Sequence, residues 1–399
     1  MGDPRRVVLW LAAASVLAYG QEGSDNEVQA SFNGYFDNFR VNVLYPSVSI
    51  NRKIGASTRF NGRYLVDAVT AASMRSRFDV DGVTSATSGS VDGVTSASQR
   101  NGEDGAPEST FDEVRHEFGA GLSREFGRGG AASVNALYST EHDYSSKTLA
   151  GRVSCPFAKK NTEVQLGAVR SWDLSFPDTR TWKKRKDVTT LSCGLTQVLS
   201  SKAIAQVDAS FTLNRGYLSD PYQVVRVIRG GTFTTYNTTV PDRRVRNAVG
   251  TRVNYKMTSL SSLQLGYRAY WDDWEIRSNT VHAMVQRHFM EKNLTLGIGL
   301  RHYSQTRANF FKPQYPSAEP YMTVDSKLNS SVSDEFQFKL EIQSGLLKRV
   351  PLFNLLALDN SAFLADVDFY HRRTPTPDWF SRYRDLYAYI LSFGWRYRF

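Results

Sequence analysis

Six histidines, His116, His142, His282, His288, His302 and His371, are the side chains best suited to move a proton near neutral pH. None stands in an HExxH zinc motif, and no GxSxG nucleophile turn or phosphate-cradling P-loop occurs. His282 shares a period-2 face with Thr280, Met284 and Gln286, so a His–Ser dyad at a wall is one conceivable hydrolytic chemistry. No third group that would orient such a dyad is evident, which favours a hydrogen-bonded wall histidine.

Carboxylates and guanidiniums offer more. Counted by alternation, one face collects Asp67, Glu113, Arg115, Glu117, Glu141, Asp143, Asp173 and Asp208, with Arg152, Arg252, Arg268, Asp272, Arg301, Arg396 and Arg398. From these, Asp67, Arg115, Glu117, Glu141, Asp143, Asp208, Arg268, Asp272 and Arg301 are taken as a candidate charged network. Both signs on one wall either set up a transverse field for a passing ion or brace the wall as internal pairs. Asp67, Glu141, Asp143, Asp220, Asp272 and Asp273 gather where strands should end, and hard oxygen ligands there could hold calcium. Solvated acids are the simpler reading, and neither a metal nor a cofactor is expected.

Strands must position these groups. From Asp385 to Phe399 the chain alternates: Tyr387, Tyr389, Leu391, Phe393, Trp395, Tyr397 and Phe399 on one face, with Ser392, Gly394, Arg396 and Arg398 on the other. In a strand, period 2 sends these sets to opposite sides. A large apolar face with aromatic ends suits acyl chains flanked by interfacial girdles. The terminal Phe399 looks like the signature read by outer-membrane assembly machinery. Similar alternation recurs at Phe118 to Leu122, Val134 to Thr140, Val207 to Leu213, Leu263 to Trp271 and Leu294 to Leu300.

Short connections lie near Asn51 to Lys53, Gly127 to Gly130, Lys159 to Asn161, Ser200 to Lys202, Thr258-Ser259 and Glu291-Lys292. Between them fall longer ones at 68–110, 176–186, 218–244, 306–332 and 373–383. A moderate connection at 346–360 breaks the rule. Short periplasmic turns and long outer loops are the asymmetry of a transmembrane β-barrel. Working back from Phe399, strands begin near 385, 361, 333, 292, 276, 260, 245, 203, 187, 163, 146, 131, 112, 54 and 39. Parity then calls for one more, which Gln29 to Phe36 can supply. The expectation is an all-β, antiparallel, up-and-down barrel of about sixteen strands, between fourteen and eighteen.

Composition agrees. The 399 residues are 41% hydrophobic and 13% aromatic, with a mean hydropathy of -0.40. After Ala18 no apolar run approaches the roughly 18–20 residues of a spanning helix, and in hydrocarbon the remaining option is a closed barrel. Arg5 and Arg6 followed by apolar Val7 to Ala18 predict a cleaved export signal over 1–20, leaving 21–399 as the barrel. Cys155 and Cys193 should face lipid, one strand apart from pairing, as inert thiols. The net charge of +10 would suit anionic solutes or lipopolysaccharide phosphates. The Lys183-Lys184-Arg185-Lys186 run reads as a solvated loop, and nucleic acid is not an expected partner. Residues 74–110 repeat Val80 to Ala86 at Val91 to Ala97 and are Ser/Gly-rich, so an outer disordered loop is expected.

Certain stretches are more specific. Asp67-Ala68-Val69-Thr70-Ala71-Ala72-Ser73 ends a strand, and Thr196-Gln197-Val198-Leu199-Ser200 closes another. Gly216-Tyr217-Leu218-Ser219-Asp220-Pro221-Tyr222-Gln223-Val224-Val225 opens a loop, and Tyr267-Arg268-Ala269-Tyr270-Trp271-Asp272-Asp273-Trp274 spans a hairpin. Together they resemble an uncharacterised Gram-negative outer-membrane family, a domain of unknown function, from about residue 38 to Phe399. The resemblance implies a barrel of unassigned activity, with Asp67, Thr70, Gly216, Tyr217, Asp220, Pro221, Tyr222, Trp271 and Asp273 as motif residues. It also implies small lipoproteins and envelope redox proteins as companions, beside outer-membrane lipid, lipopolysaccharide and the barrel-assembly machinery. The leading expectation is therefore a porin-like conduit in the bacterial outer membrane for a small solute or a partner protein. A non-conducting structural or assembly barrel and an outer-membrane hydrolase are the alternatives.

Overall fold

Period-2 alternation becomes sixteen antiparallel spans in the computed structural model, which describes residues 26–38, 41–69, 113–127, 129–177, 180–349, 357–374 and 385–399. The first span is β1 (Asn26–Asp37). The second is broken into β2 (Asn42–Leu44) and β3 (Ser47–Lys53) at Pro46, which has no N–H for the ladder. Then come β4 (Thr58–Val69), β5 (Glu113–Phe126), β6 (Gly130–Thr140), β7 (Tyr144–Phe157) and β8 (Thr162–Ser175). The wall continues through β9 (Lys184–Ser200) and β10 (Ala203–Gly216). A separate ribbon follows, β11 (Val224–Arg229) and β12 (Thr232–Asn237). The remaining wall strands are β13 (Arg243–Lys256), β14 (Ser261–Asp272), β15 (Arg277–Phe289), β16 (Leu294–Gln305), β17 (Ser331–Gln343), β18 (Ser361–Arg373) and β19 (Asp385–Arg398).

Each wall strand pairs with its sequence neighbour, and β19 returns to β1 in register from Glu27 opposite Arg398 to Asp37 opposite Ala388. Closure leaves the wall without an edge strand. The weakly signalled first strand thus exists, with Gly34 opposite Leu391.

Curvature spreads outward side chains and crowds inward ones. The spread parity is apolar and exposed: Phe118 and Leu122 on β5, Val134 and Tyr138 on β6, Leu191 and Leu195 on β9, Val207 and Phe211 on β10. The crowded parity carries the charges. Cys155 and Cys193 are free thiols on β7 and β9, with β8 between them.

At one end the strands are joined by short turns and by 344–360, which begins with a helical turn, Ser344–Leu347. At the other end the rim is uneven. Besides the long loops, short connections join β6 to β7 through Glu141-His142-Asp143 and β14 to β15 through 273–276. The Asp272 carboxylate closes the latter, accepting from the backbone N–H of Trp274 (3.1 Å) and Ile276 (2.9 Å). The long loops are also not featureless. Gly230 and Gly231, both at positive φ, turn β11 into β12. Val225 and Val227 on this ribbon pack against Tyr315 and Met322 of the β16–β17 loop. A second buried cluster, Leu218, Val240, Trp274, Ile276, Ala308, Phe311 and Leu328, ties the same two loops to the β14–β15 turn. The expected export signal, Thr70 and the 74–110 loop lie outside the described residues.

Candidate functional site at the long-loop mouth

Alternation delivers the inward charges to the wall, but they form separate clusters rather than one network. Arg115 on β5 reaches Asp67 on β4 (3.2 Å) and Glu141 at the end of β6 (4.0 Å). One layer lower, Arg63 lies 3.6 Å from Glu117. Asp208 on β10 accepts from Gln206 Nε2 (2.9 Å) and lies in the field of Arg252 and Arg152. Arg301 on β16 pairs with Glu335 on β17 at 3.0 Å. Arg268 stands 6.0 Å over the Tyr270 ring. His282 Nε2 sits 3.0 Å from Gln337 Oε1, so its hydrogen-bond partner is an amide and not a serine hydroxyl.

Among the acids at the strand ends, Asp67 and Glu141 share Arg115, and the others hold separate partners. Asp272 takes Arg244 at 2.6 Å and the Tyr270 hydroxyl at 2.6 Å. Asp273 pairs with Arg243 (3.1 Å) and accepts from Val245 N–H (2.8 Å). Asp143 accepts from the Tyr222 hydroxyl. Among the described residues, no three of these carboxylates come together as a metal site would need. Sequence reasoning missed Arg244, because it began that strand at 245 and so left an inward cation in a loop.

Lys186 is a correction as well. The Lys183–Lys186 run is not wholly solvated loop: its last three residues begin β9, and Lys186 is buried. Asp173 on β8 makes that tolerable, lying 3.1 Å from Lys186 Nζ and accepting from Ser146 (2.7 Å) and Ser171 (2.6 Å). A buried ammonium needs such a partner.

Directly above this pair, the Gly216–Tyr222 motif builds a cleft, each residue by a different means. Gly216 sits at φ +108, and a Cβ there would fall 2.3 Å from the Arg185 carbonyl oxygen. Only glycine allows that approach, and it lets Tyr217 N–H donate to the same oxygen at 2.9 Å. The Tyr217 ring packs edge-on against Trp182, with centroids 4.9 Å apart. Lys184 Nζ stands 4.3 Å from both ring centroids. Ser219 Oγ accepts from Val240 N–H at 3.0 Å. Asp220 Oδ1 accepts from the N–H groups of Tyr222 (2.9 Å) and Gln223 (3.3 Å). The Pro221 carbonyl accepts from Arg180 Nη2 at 2.9 Å. The resulting cleft encloses about 530 Å³ between the β8–β9 and β10–β13 loops.

Burial pushes the Tyr217 phenol up to about 12, with Asp220 adding to the shift. Burial also pushes the Asp220 carboxyl up to about 6, helped by the charge of Asp325 and opposed by Lys327 and the two backbone donors. Trp271, by contrast, is exposed on the outward face of β14. Phe399 is exposed too, its N–H donating to the Asn26 carbonyl at 3.2 Å where the barrel closes.

A closed wall of sixteen antiparallel strands, apolar outside and charged inside, defines a β-barrel of the outer-membrane type. The chain belongs to the family described as protein of unknown function (DUF3570), whose model matches residues 9–181 and 170–337. The four stretches that carry the resemblance lie within those residues, and the match ends at 337, short of Phe399. No curated protein matches the chain in sequence. Among solved structures it is similar to a bacterial polysaccharide outer membrane secretin, at 7% identity and a TM-score of 0.49 over 94% of this chain and 98% of that one. It is similar to the siderophore receptor PirA from Pseudomonas aeruginosa at 8% identity and a TM-score of 0.46, covering 93% of this chain and 62% of the receptor. It therefore spans less than two thirds of that receptor's length. Against OmpT, an outer membrane protein of Vibrio cholerae, identity is 10% and the TM-score 0.42, over 94% and 97% of the two chains.

Proposed function

We propose that the protein is an outer-membrane conduit for small solutes, with an outer mouth restricted by its own loops. The observation that carries this reading is the sixteen-strand circumference with charge on its inward face. Barrels of that size enclose an aqueous lumen unless something fills it, whereas eight strands leave only room for side chains. Charges at mid-depth on the outward face would cost a few kcal/mol each in lipid, and the exposed parity is apolar there. Outward-facing charge resumes at the long-loop end, with Arg170 paired to Asp187 and Arg243 to Asp273, at the level a headgroup layer would occupy. In this reading the long-loop end faces outward and the short turns face the periplasm.

The restriction comes from the linked loops. Numbered around the wall, the β6–β7 turn and the β16–β17 loop lie eight spans apart, half of the circumference. The β10–β13 loop touches both: Tyr222 donates to Asp143 on one side, and Thr239 N–H donates to Met322 O (2.9 Å) on the other. Planar-bilayer recording of the folded protein tests the proposal. Small, stepwise conductance is expected; silence from protein shown to be folded and inserted would sink it. The same loop bridge favours one second reading, a non-conducting assembly barrel, for which stable copurification of a small lipoprotein is the test. A hydrolase is not proposed, and labelling of the folded protein by a serine-directed probe would revive it.

A further inference from the structure

Within the cleft, most polar groups are already used. Arg180 donates to the Pro221 carbonyl and to Asn237 Oδ1 (2.8 Å), Asp220 is tied to two backbone N–H groups, and Ser219 accepts from Val240. One cation stands apart: Lys184 lines the cleft, is exposed, and has no carboxylate partner among the described residues, whereas Arg185 turns its side chain to the outward face of β9 and gives the cleft its carbonyl. Lys184 is held in place by the faces of Trp182 and Tyr217 at 4.3 Å each. Such contacts orient an ammonium without neutralising it, so its charge stays available. Alternation places Lys184 two residues above Lys186 on the same side of β9, so its ammonium belongs to the lumen side of the mouth.

We propose that this cleft binds a small polyhydroxylated anion, a sugar acid or sugar phosphate, as a solute-capture site. Three features select that class. The Lys184 ammonium supplies charge for one carboxylate or phosphate, with donors that favour such oxygens. Of the other liners, Thr239 and the amide nitrogen of Asn237 offer polar groups suited to hydroxyls, while Thr238 and Asn237 Oδ1 are bonded to Gln223 and Arg180. The volume of about 530 Å³ lies in the usual range for small-ligand sites and holds a mono- or disaccharide. The aromatic pair beside Lys184 offers ring surface to the C–H edges of a pyranose. Within the conduit reading this names the solute class, but binding itself does not require that the barrel conduct.

The test is calorimetric titration of the full chain, folded in detergent, with galacturonate, glucose 6-phosphate, neutral galactose and inorganic phosphate. Saturable binding of the two anionic sugars is expected, with galactose and inorganic phosphate each weaker by about tenfold or more, the scale of one lost charge-assisted contact. Lys184→Met should weaken galacturonate about tenfold for the same reason. Arg185→Gln, on the outward face of β9, is the second variant and should leave the affinity unchanged; an equal loss there would overturn the assignment to Lys184. Heat-modifiable electrophoretic mobility checks that each variant is folded. No saturable binding by folded wild type overturns the proposal. So does equal binding of galactose and galacturonate, or inorganic phosphate alone binding as well as the sugars. Binding without bilayer conductance would leave this site standing and remove the conduit; conductance without binding would do the reverse.

Discussion

Tyr222 and Asp143 are 79 residues apart, on rim connections with four wall strands between their roots, yet the Tyr222 hydroxyl donates to the Asp143 carboxylate. The contact exists because Asp220 and Pro221 have already fixed the loop. Asp220 caps the backbone of Tyr222 and Gln223, and the Pro221 carbonyl is held by Arg180. The tyrosine is thereby aimed at the β6–β7 turn. The far end of the same loop is held by β11 and β12 against Tyr315 and Met322. One end of the bridge is thus a polar latch and the other an apolar clasp.

Removing the latch should loosen only that end. For Tyr222→Phe the local opening free energy of the 217–223 segment should fall by about 1–3 kcal/mol, the worth of a hydrogen bond to a charged group. Amide hydrogen exchange in that segment should accelerate roughly tenfold or more, while exchange in β13 and β14 stays unchanged. Uniform acceleration across the barrel would show that Tyr222 supports the wall and not a loop.

Asp220 makes the bridge sensitive to pH. A carboxyl raised from its ordinary value of 3.8 to about 6 binds its proton more tightly in the folded loop than in the unfolded chain. Protonation therefore stabilises the loop: stability is lost as pH rises through about 6 and is regained toward about 4. Protease cleavage between 217 and 242 should be slower at about pH 5 than at about pH 7.5, after correction for the protease's own profile. Asp220→Asn should flatten that difference. A carboxyl carbon resonance of Asp220 that titrates near 4 would contradict the assignment.

The wall was legible because two solvents read it. Lipid outside and water inside force opposite chemistry onto alternate residues, so Phe118, Leu122, Val134 and Tyr138 announced their face without any contact being known. The bridge was not legible in that way. The Gly230-Gly231 pair between Val224 to Ile228 and Thr232 to Tyr236 did carry a hairpin signal. What the ribbon packs against, Tyr315 and Met322, depends on two loops meeting in space, and alternation says nothing about loops. Lys186 failed for a related reason. Its burial is set by Asp173 on the neighbouring strand, whereas the local run of four cations reads as solvent-facing. The charges of the candidate network fell on the expected face, but which of them pair depends on register, as with Arg115 between Asp67 and Glu141.

Gly216 is the one motif position where side-chain size alone should decide the outcome. Gly216→Ala must place a Cβ at φ +108 against the Arg185 carbonyl, where 2.3 Å is available. The strain of such a conformation costs about 1–3 kcal/mol, and relieving the clash must separate β9 from the start of the loop. The expected result is a folded barrel whose 217–223 segment exchanges freely. Fluorescence of Trp182, isolated by replacing other tryptophans with phenylalanine, should shift to the red as its contact with Tyr217 is lost. An unshifted spectrum in a folded variant would mean that β9 and the loop tolerate the Cβ.

The Arg244–Asp272 pair should respond most strongly to a single change. The Asp272 side chain has no exposed surface and lies 2.6 Å from Arg244, whose guanidinium also stacks 4.4 Å over Trp274. Deleting one member of a buried pair strands the other, at a cost of roughly 3–5 kcal/mol. Here the lower end of that range applies, because the Tyr270 hydroxyl and the N–H groups of Trp274 and Ile276 still hold the carboxylate. Arg244→Gln should therefore lower the urea midpoint of the detergent-folded barrel clearly. Arg244→Gln combined with Asp272→Asn should recover more than half of the loss, since no buried charge remains. Recovery fails if the arginine acts mainly through its stacking on Trp274, and the double variant would then be no more stable than Arg244→Gln alone. The two outcomes separate charge compensation from packing at the turn that anchors the apolar end of the bridge.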